Sequence, residues 1–210
     1  MKGILFKPDM IRAIVEGRKT QTRRTAGLEE INKEPNKWAL LEWKCRMVGD
    51  IKVGWFFENP VGIQQLAKSR YHVGETVYIK EAWSPFADEM SKVAVRSKEP
   101  VLYRLDYRDD LKSPLDIGGD YSWHSPMFLK EIFARYFILI TDVRPERLQE
   151  ITEEDAIAEG CDYVTGTPDT PTFTHINSYR GLWDSINKKI PWASNPWLWH
   201  YSFKQVAKES

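Results

Sequence analysis

Cysteine is nearly missing from this chain: Cys45 and Cys161 are the only two in 210 residues. Two thiols do not by themselves make a metal centre, and the pair reads as unpaired buried thiols in a reducing cytosol. The four histidines, His72, His124, His175 and His200, are scattered without metal-ligand spacing, so no role is assigned to them and neither a metal nor a cofactor is expected. A Gly-rich phosphate loop and a Ser/His/Asp pattern are also missing. Charge of one sign is missing as well, because 30 Lys plus Arg balance 30 Asp plus Glu. No global field draws nucleic acid, and any basic surface is local. No apolar run approaches the ~18 residues of a membrane span. The opening Met-Lys-Gly-Ile-Leu-Phe-Lys-Pro lacks the apolar region of a signal peptide. A cytoplasmic protein without a membrane partner is expected.

Aromatics, by contrast, are plentiful. Nine Trp, nine Tyr and nine Phe contribute to an apolar share of 42%, ample for a packed core, which excludes disorder. Most of the Trp belong in that core. Some are expected to line a groove, where a flat ring stacks on a base or sugar.

Local patterning predicts several strands and few, short helices. Lys2 to Phe6 reads as a strand. Asp9 stands as the N-cap of a helix carrying Met10, Ile11, Ile14 and Val15, which Gly17 ends. Thr20 to Arg24 follows as a polar strand, and residues 25 to 37 as a loop. Trp38 to Phe57 has β texture, Thr76 to Trp83 is a strong strand after the Val73-Gly74-Glu75 turn, and one strand is expected near Val101 to Leu105. Tyr136 to Val143 is the most apolar strand. Thr152 with Asp155 resembles a capping box, and Gly160 supplies the left-handed residue that closes a two-turn helix. A Pro/Thr-rich loop (165 to 174) precedes a helix over Ile176 to Asn187. Trp197 to Val206 alternates as a half-buried strand. Non-alternating strands and helices of this kind point to α+β with a curled sheet or small barrel. One domain over 1–210 is expected, with insertions at about 25–70 and 84–130.

The densest chemistry lies in Gly17-Arg18-Lys19-Thr20-Gln21-Thr22-Arg23-Arg24, where cations alternate with hydroxyls. A Thr hydroxyl needs a neighbour to take its proton, and a Lys serves once burial lowers its pKa toward neutrality. Lys19 and Thr22 are three apart, so in a plain strand they face opposite sides; convergence needs a turn at the Gly17–Thr20 junction. A short basic strand is also a common form of solvated face or edge protection, and that alternative stands beside the catalytic one.

Four motifs, taken together, carry a family resemblance. Gly-Arg-Lys-Thr-x-Thr-x-Arg, Val-Gly-Glu-x-Val with Lys-Glu-x-Trp, Thr-Asp-Val-Arg-x-Glu-Arg-Leu and Thr-Glu-Glu-Asp-Ala-x-x-Glu-Gly resemble the ASCH domain. That family is similar to the PUA fold, a small β-barrel with flanking helices that handles RNA. Leu182 to Asn187 and Asn195 to Trp199 resemble the longer ASCH proteins of bacteriophages and prophages. The resemblance implies a nucleoside- or RNA-directed protein. Small bacterial members hydrolyse the amide of N4-acetylcytidine, and motif by motif their catalytic set becomes Lys19, Thr22 and Glu159. Other members are described as RNA-binding modules or ribonucleases, and both remain alternatives. Arg18, Thr20, Arg23 and Arg24 would then rim the site and meet a phosphate or base edge. Lys80-Glu81-Ala82-Trp83 would bring Glu81 or Trp83 beside it, the ring as a stacking platform or else as core. Related phage proteins read Met-Pro-Arg-Trp-Ala-Ser-Arg where this chain has Leu129 to Arg135, so only Arg135 survives there as a substrate-binding candidate. Glu159 alone would be an exposed helix-end residue, at a terminus where the dipole disfavours a carboxylate. Glu150, Glu153, Glu154 and Asp155 read as favourable charge at a helix N-terminus.

Overall fold

The computed structural model describes residues 1–41, 55–85, 101–106, 123–162 and 174–208. Cys45, much of the stretch expected as an insertion over 84–130 and nearly all of the Pro/Thr-rich loop lie outside the described residues. The architecture is α+β, as the patterning predicts, and the chain forms two compact units.

One unit comprises Met1–Gly17, Thr76–Leu139 and Lys204–Ser210. In it β1 (Gly3–Leu5) runs parallel to β6 (Thr76–Lys80), with Ile4 opposite Ile79. The first residues of β9 (Phe137–Arg147) run antiparallel to β6, with Val77 opposite Ile138. All four of these side chains are buried, and each such Val or Ile contributes roughly 1.5–3 kcal/mol. Helix α1 (Pro8–Val15) buries Ile11, Ala13 and Ile14. It starts one residue before the expected Asp9 cap: Lys7 is the extended N-cap and Pro8 opens the helix, because the fixed φ of proline fits the first helical position and its missing N–H costs nothing there. Asp9 falls in the first turn and bonds Arg12 at 3.3 Å. Gly17, at φ 76°, ends the helix as expected. A short hairpin, β7 (Trp83–Pro85) with β8 (Val101–Tyr103), pairs Trp83 with Tyr103.

The other unit comprises Arg18–Glu75 and Ile140–Phe203. Here β2 (Gln21–Arg24) lies antiparallel to β10 (Trp197–Val206), with Thr22 opposite Tyr201 and Arg23 opposite His200. A second sheet holds β3 (Ala39–Leu40), β4 (Trp55–Glu58) and β5 (Gln64–Ala67) in that order. Residues 25 to 37 contain only short 3-10 turns. Helices α2 (Glu153–Ala158) and α3 (His175–Ile186) pack on a core of Leu148, Ile151, Ala156, Cys161, Tyr179, Trp183 and Leu198. The predicted capping box is present: Thr152 Oγ1 accepts from the Asp155 N–H, and Asp155 accepts from the Thr152 N–H. Gly160, at φ 81°, follows the C-cap Glu159.

Besides the Asp9 cap, three expectations change. The strand expected over Thr76 to Trp83 ends at Lys80, and Trp83 opens the separate hairpin strand β7, paired with β8. Strand β9 runs past Val143 through Pro145 to Arg147, since proline fits an extended backbone wherever its N–H is not needed. Strand β10 is not half-buried, because Trp197 to Tyr201 are all covered. On one face Trp197 meets Phe57 edge-on at 5.0 Å and Tyr201 meets Tyr71 at 5.5 Å. Leu198 and His200 occupy the other, and Leu198 joins the helical core.

Candidate active site

The backbone just ahead of β2 is clamped from two sides. The Thr20 N–H donates to the Ala158 carbonyl at the end of α2, and the Thr20 carbonyl accepts from the Phe203 N–H, both at 2.8 Å. This pins Lys19 against the C-terminus of α2, where helical carbonyls lack intrahelical partners. Lys19 Nζ donates to the Glu159 carbonyl at 2.8 Å and also to Glu159 Oε2. Both residues are buried, Lys19 to 1% and Glu159 to 3% exposure. Glu159 is therefore not the exposed helix-end residue that its context suggests. The ammonium supplies the positive charge that the helix terminus and the carboxylate both require.

Burial lowers the Lys19 pKa below its ordinary 10.5; Glu159 opposes that shift without cancelling it, and Arg24 adds to it. Burial, and next the Glu159 charge, push the neighbouring Cys161 thiol up to about 11, leaving it a poor nucleophile.

Arg23 is not at a rim. It is buried to 3% exposure within a cluster of carboxylates. Its Nε donates to Glu146 Oε1 at 2.6 Å and its Nη1 to Glu159 Oε1 at 3.2 Å. Nη2 stands 3.3 Å from both Asp155 Oδ2 and His200 Nδ1. The guanidinium also lies 5.9 Å from the centre of the Tyr179 ring. Asp155, read as helix N-terminal charge, has this second partner. Glu146, His200 and Tyr179 were not legible as site residues. Glu146 lies inside the Thr-Asp-Val-Arg-x-Glu-Arg-Leu motif, the one feature of the sequence that could have singled it out.

The remaining predicted residues divide. Arg18 is exposed and stands 3.6 Å from Asp162. Thr20 is exposed, and Arg24 is half-buried and donates to the Arg23 carbonyl at 3.0 Å. Thr22 is fully buried, and its Oγ1 has no hydrogen-bond partner among the described residues. The register puts Thr22 on the Tyr201 side of β2 and Arg23 on the His200 side. Lys19 precedes the strand, so alternation does not fix its side chain, and it bonds Glu159 rather than Thr22.

Glu81, Trp83 and Arg135 belong to the first unit. Arg135 Nε and Nη2 donate to Glu81 at 2.9 Å each, and Nη1 donates to Asp106 at 2.7 and 2.8 Å. Its guanidinium carbon lies 4.1 Å from the Tyr103 ring centre and 4.8 Å from that of Tyr136. Burial raises the Glu81 pKa against the opposing pull of Arg135. The Trp83 ring stacks on Phe133 at 6.1 Å and tilts over His124 at 4.9 Å. Those partners are protein rings, as in the core-packing alternative.

No protein-family model, curated protein or solved structure matches the chain. The family resemblance therefore rests on the sequence motifs alone. Among the described residues no group of three or more His, Cys, Asp or Glu is placed to hold a metal ion, and no helix is long and apolar enough to cross a membrane.

Proposed function

We propose that this chain is an ASCH-type protein with a PUA-like barrel that acts on a modified nucleoside or RNA, hydrolysing an N4-acyl amide of cytosine. The observation that carries this reading is the buried Lys19–Glu159 pair. Two of the three motif positions named by the resemblance, Lys19 and Glu159, meet across 140 residues of sequence, one by its ammonium and the other by both its carbonyl and its carboxylate; Thr22 does not join them.

The chemistry follows from the pair. A lysine with a lowered pKa is neutral more often at working pH and can take a proton. As a hydroxyl oxygen adds to the acyl carbon, its proton passes to the Lys19 amine. The C–N bond then breaks, and the proton goes by way of Lys19 or Glu159 to the departing N4 nitrogen. If the oxygen is that of Thr22, an ester forms there, and water cleaves it to free the hydroxyl and a carboxylic acid. If the oxygen is that of water, the acid leaves directly. In both routes one water is consumed and cytosine regains its amine. The buried Thr22 hydroxyl speaks for the first route, because an unpartnered buried polar group is costly and uncommon; that route requires Thr22 to come within reach of Lys19, which here bonds Glu159 instead, whereas the route through water does not. Arg18, Thr20 and Arg24 sit at the accessible edge of the segment and suit a phosphate or ribose.

Incubating the pure protein with N4-acetylcytidine and following cytidine release tests the reading. Release that disappears in both Lys19→Ala and Glu159→Ala supports it; full activity in either variant sinks it. Salt-sensitive RNA binding without product would instead mark a binding module, and shortened RNA strands a ribonuclease.

A further inference from the structure

Glu159 has two carboxylate oxygens and two cations divide them. Oε2 meets Lys19, and Oε1 meets Arg23 Nη1. The guanidinium fork does not choose this geometry alone. Its Nε is fixed by Glu146 Oε1 on β9, and its Nη2 faces His200 Nδ1 on β10. Glu146 is itself oriented, since Oε2 lies 3.2 Å from His200 Nδ1 and 3.4 Å from Arg144 Nη2, while His200 Nε2 stands 3.0 Å from Ser202 Oγ. Gln21 Oε1 accepts from Arg23 Nη1 at 3.3 Å, and Asp155 closes the cluster from α2. A planar fork with several donors locked by separate strands transmits orientation in a way that a point charge on a flexible stem does not.

We infer that Arg23 is a positioning residue: held by Glu146 and His200, it fixes the Glu159 carboxylate so that one oxygen faces Lys19, and it makes no contact with substrate. This rests on the reading of Lys19 and Glu159 as the reactive pair, and it replaces the rim role expected of Arg23 from the sequence. The burial of Arg23 supports it, because a side chain enclosed by three carboxylates is not placed to meet a phosphate. A second consequence is electrostatic. By sharing the charge of Glu159, Arg23 weakens the hold of that carboxylate on the Lys19 ammonium and keeps the amine easier to deprotonate. The charged and titratable groups that act on Lys19 are Glu159, Arg24 and Cys161; Arg23, Tyr179 and Asp162 stand beside these, with Glu146, Asp155 and His200 behind Arg23.

The test is an NMR titration of the Lys19 amine in the full chain, which needs no substrate, run beside steady-state kinetics on N4-acetylcytidine. Arg23→Lys keeps the charge and loses the fork. Glu159 then turns fully to Lys19, and the Lys19 midpoint rises by about one unit. In the same variant kcat falls on the order of 10²-fold while KM holds. Glu146→Gln acts oppositely: with less charge to satisfy at Glu146, Arg23 leans on Glu159, and the Lys19 midpoint falls. Opposite shifts from two changes in one cluster are not produced by general loosening of a core. If Arg23→Lys does not fold, Glu146→Asp decides, because it keeps the charge and draws the carboxylate back from Arg23 Nε: a shifted Lys19 midpoint supports the positioning role, and an unmoved one overturns it. Unmoved midpoints overturn the inference, as does a KM rise at constant kcat, which would make Arg23 a substrate contact. If the unaltered protein releases no cytidine, the proposed reaction fails while the titration still judges the positioning role.

Discussion

Lys19 and Glu159 meet twice, through the carbonyl that ends α2 and through the carboxylate beyond it. The double contact couples folding to chemistry, because one ammonium closes a helix and neutralises a buried acid. Removing one partner of such a pair strands the other. Glu159→Gln keeps shape and a hydrogen-bonding oxygen but leaves Lys19 and Arg23 short of an anion. Stability should drop by about 3 kcal/mol, read as a lower urea midpoint at unchanged slope, and cytidine release should vanish. Wild-type stability in this variant would mean that the pair contributes nothing to the fold.

Thr22 supplies the opposite case. Its hydroxyl is fully buried without a partner, so the native state bears a desolvation cost that no bond offsets. Thr22→Val deletes that hydroxyl, keeps the volume and suits a strand. The expected result is a gain of about 1 kcal/mol in urea unfolding, together with loss of cytidine release. Thr22→Ser keeps the hydroxyl and should retain turnover. Full activity in Thr22→Val would assign the attacking oxygen to water instead.

The sequence disclosed the ends of elements better than their insides. Gly17, Thr152 with Asp155, and Gly160 mark boundaries through local backbone chemistry, and the structure has each where expected. The bounds of β10 also agree. Asp9 misled because it suits an N-cap, while Pro8 beside it has the stronger steric preference for the first turn. The site was half legible. Lys19 and Glu159 came from motif resemblance, and no local pattern joins positions 140 apart. Arg23 reads in the sequence as a rim residue for a phosphate or base edge, because a charge run carries no information about what covers it. Only the register of β2 on β10 shows that Arg23 faces His200. His200 was hidden by the same strand, since alternation with Trp199 and Tyr201 suggested an outward residue, whereas Glu146 and Arg23 enclose it.

Acid should loosen this unit before it affects an ordinary surface. Burial pushes the Glu146 carboxyl up, but His200 and Arg23 outweigh it and hold the group below its ordinary 4.5. Burial likewise raises Asp155, and the Thr152 N–H with Arg23 brings it below 3.8. Both folded pKa values are depressed, so the unfolded chain binds more protons at acid pH and stability rises with pH there. That contribution is complete above the ordinary values and is lost as pH falls through the lowered ones. The urea midpoint should therefore decline steeply below about pH 4. The decline should be shallower in Arg23→Met, which removes the cation both carboxylates share. Parallel pH profiles for the two proteins would show that Arg23 does not hold these acids ionised.

Helix α2 has six residues, too few to persist without caps, yet its first turn holds Asp155 and its C-cap is Glu159. Thr152 satisfies the Asp155 N–H, and Asp155 returns the bond to the Thr152 N–H at 3.3 Å. Thr152→Ala removes the Oγ1 that accepts from the Asp155 N–H and leaves that N–H unpaired, while the Asp155 carboxylate keeps its bond from the residue-152 N–H and its contact with Arg23. A loss of about 1 kcal/mol is expected from the cap alone. Because the same helix delivers Glu159 to Lys19, hydrogen exchange at the Glu159 and Gly160 amides, which bond to Asp155 and Ile157 carbonyls, should accelerate more than exchange in α3. A uniform increase across both helices would show instead that the cap stabilises the unit as a whole and that α2 does not open independently.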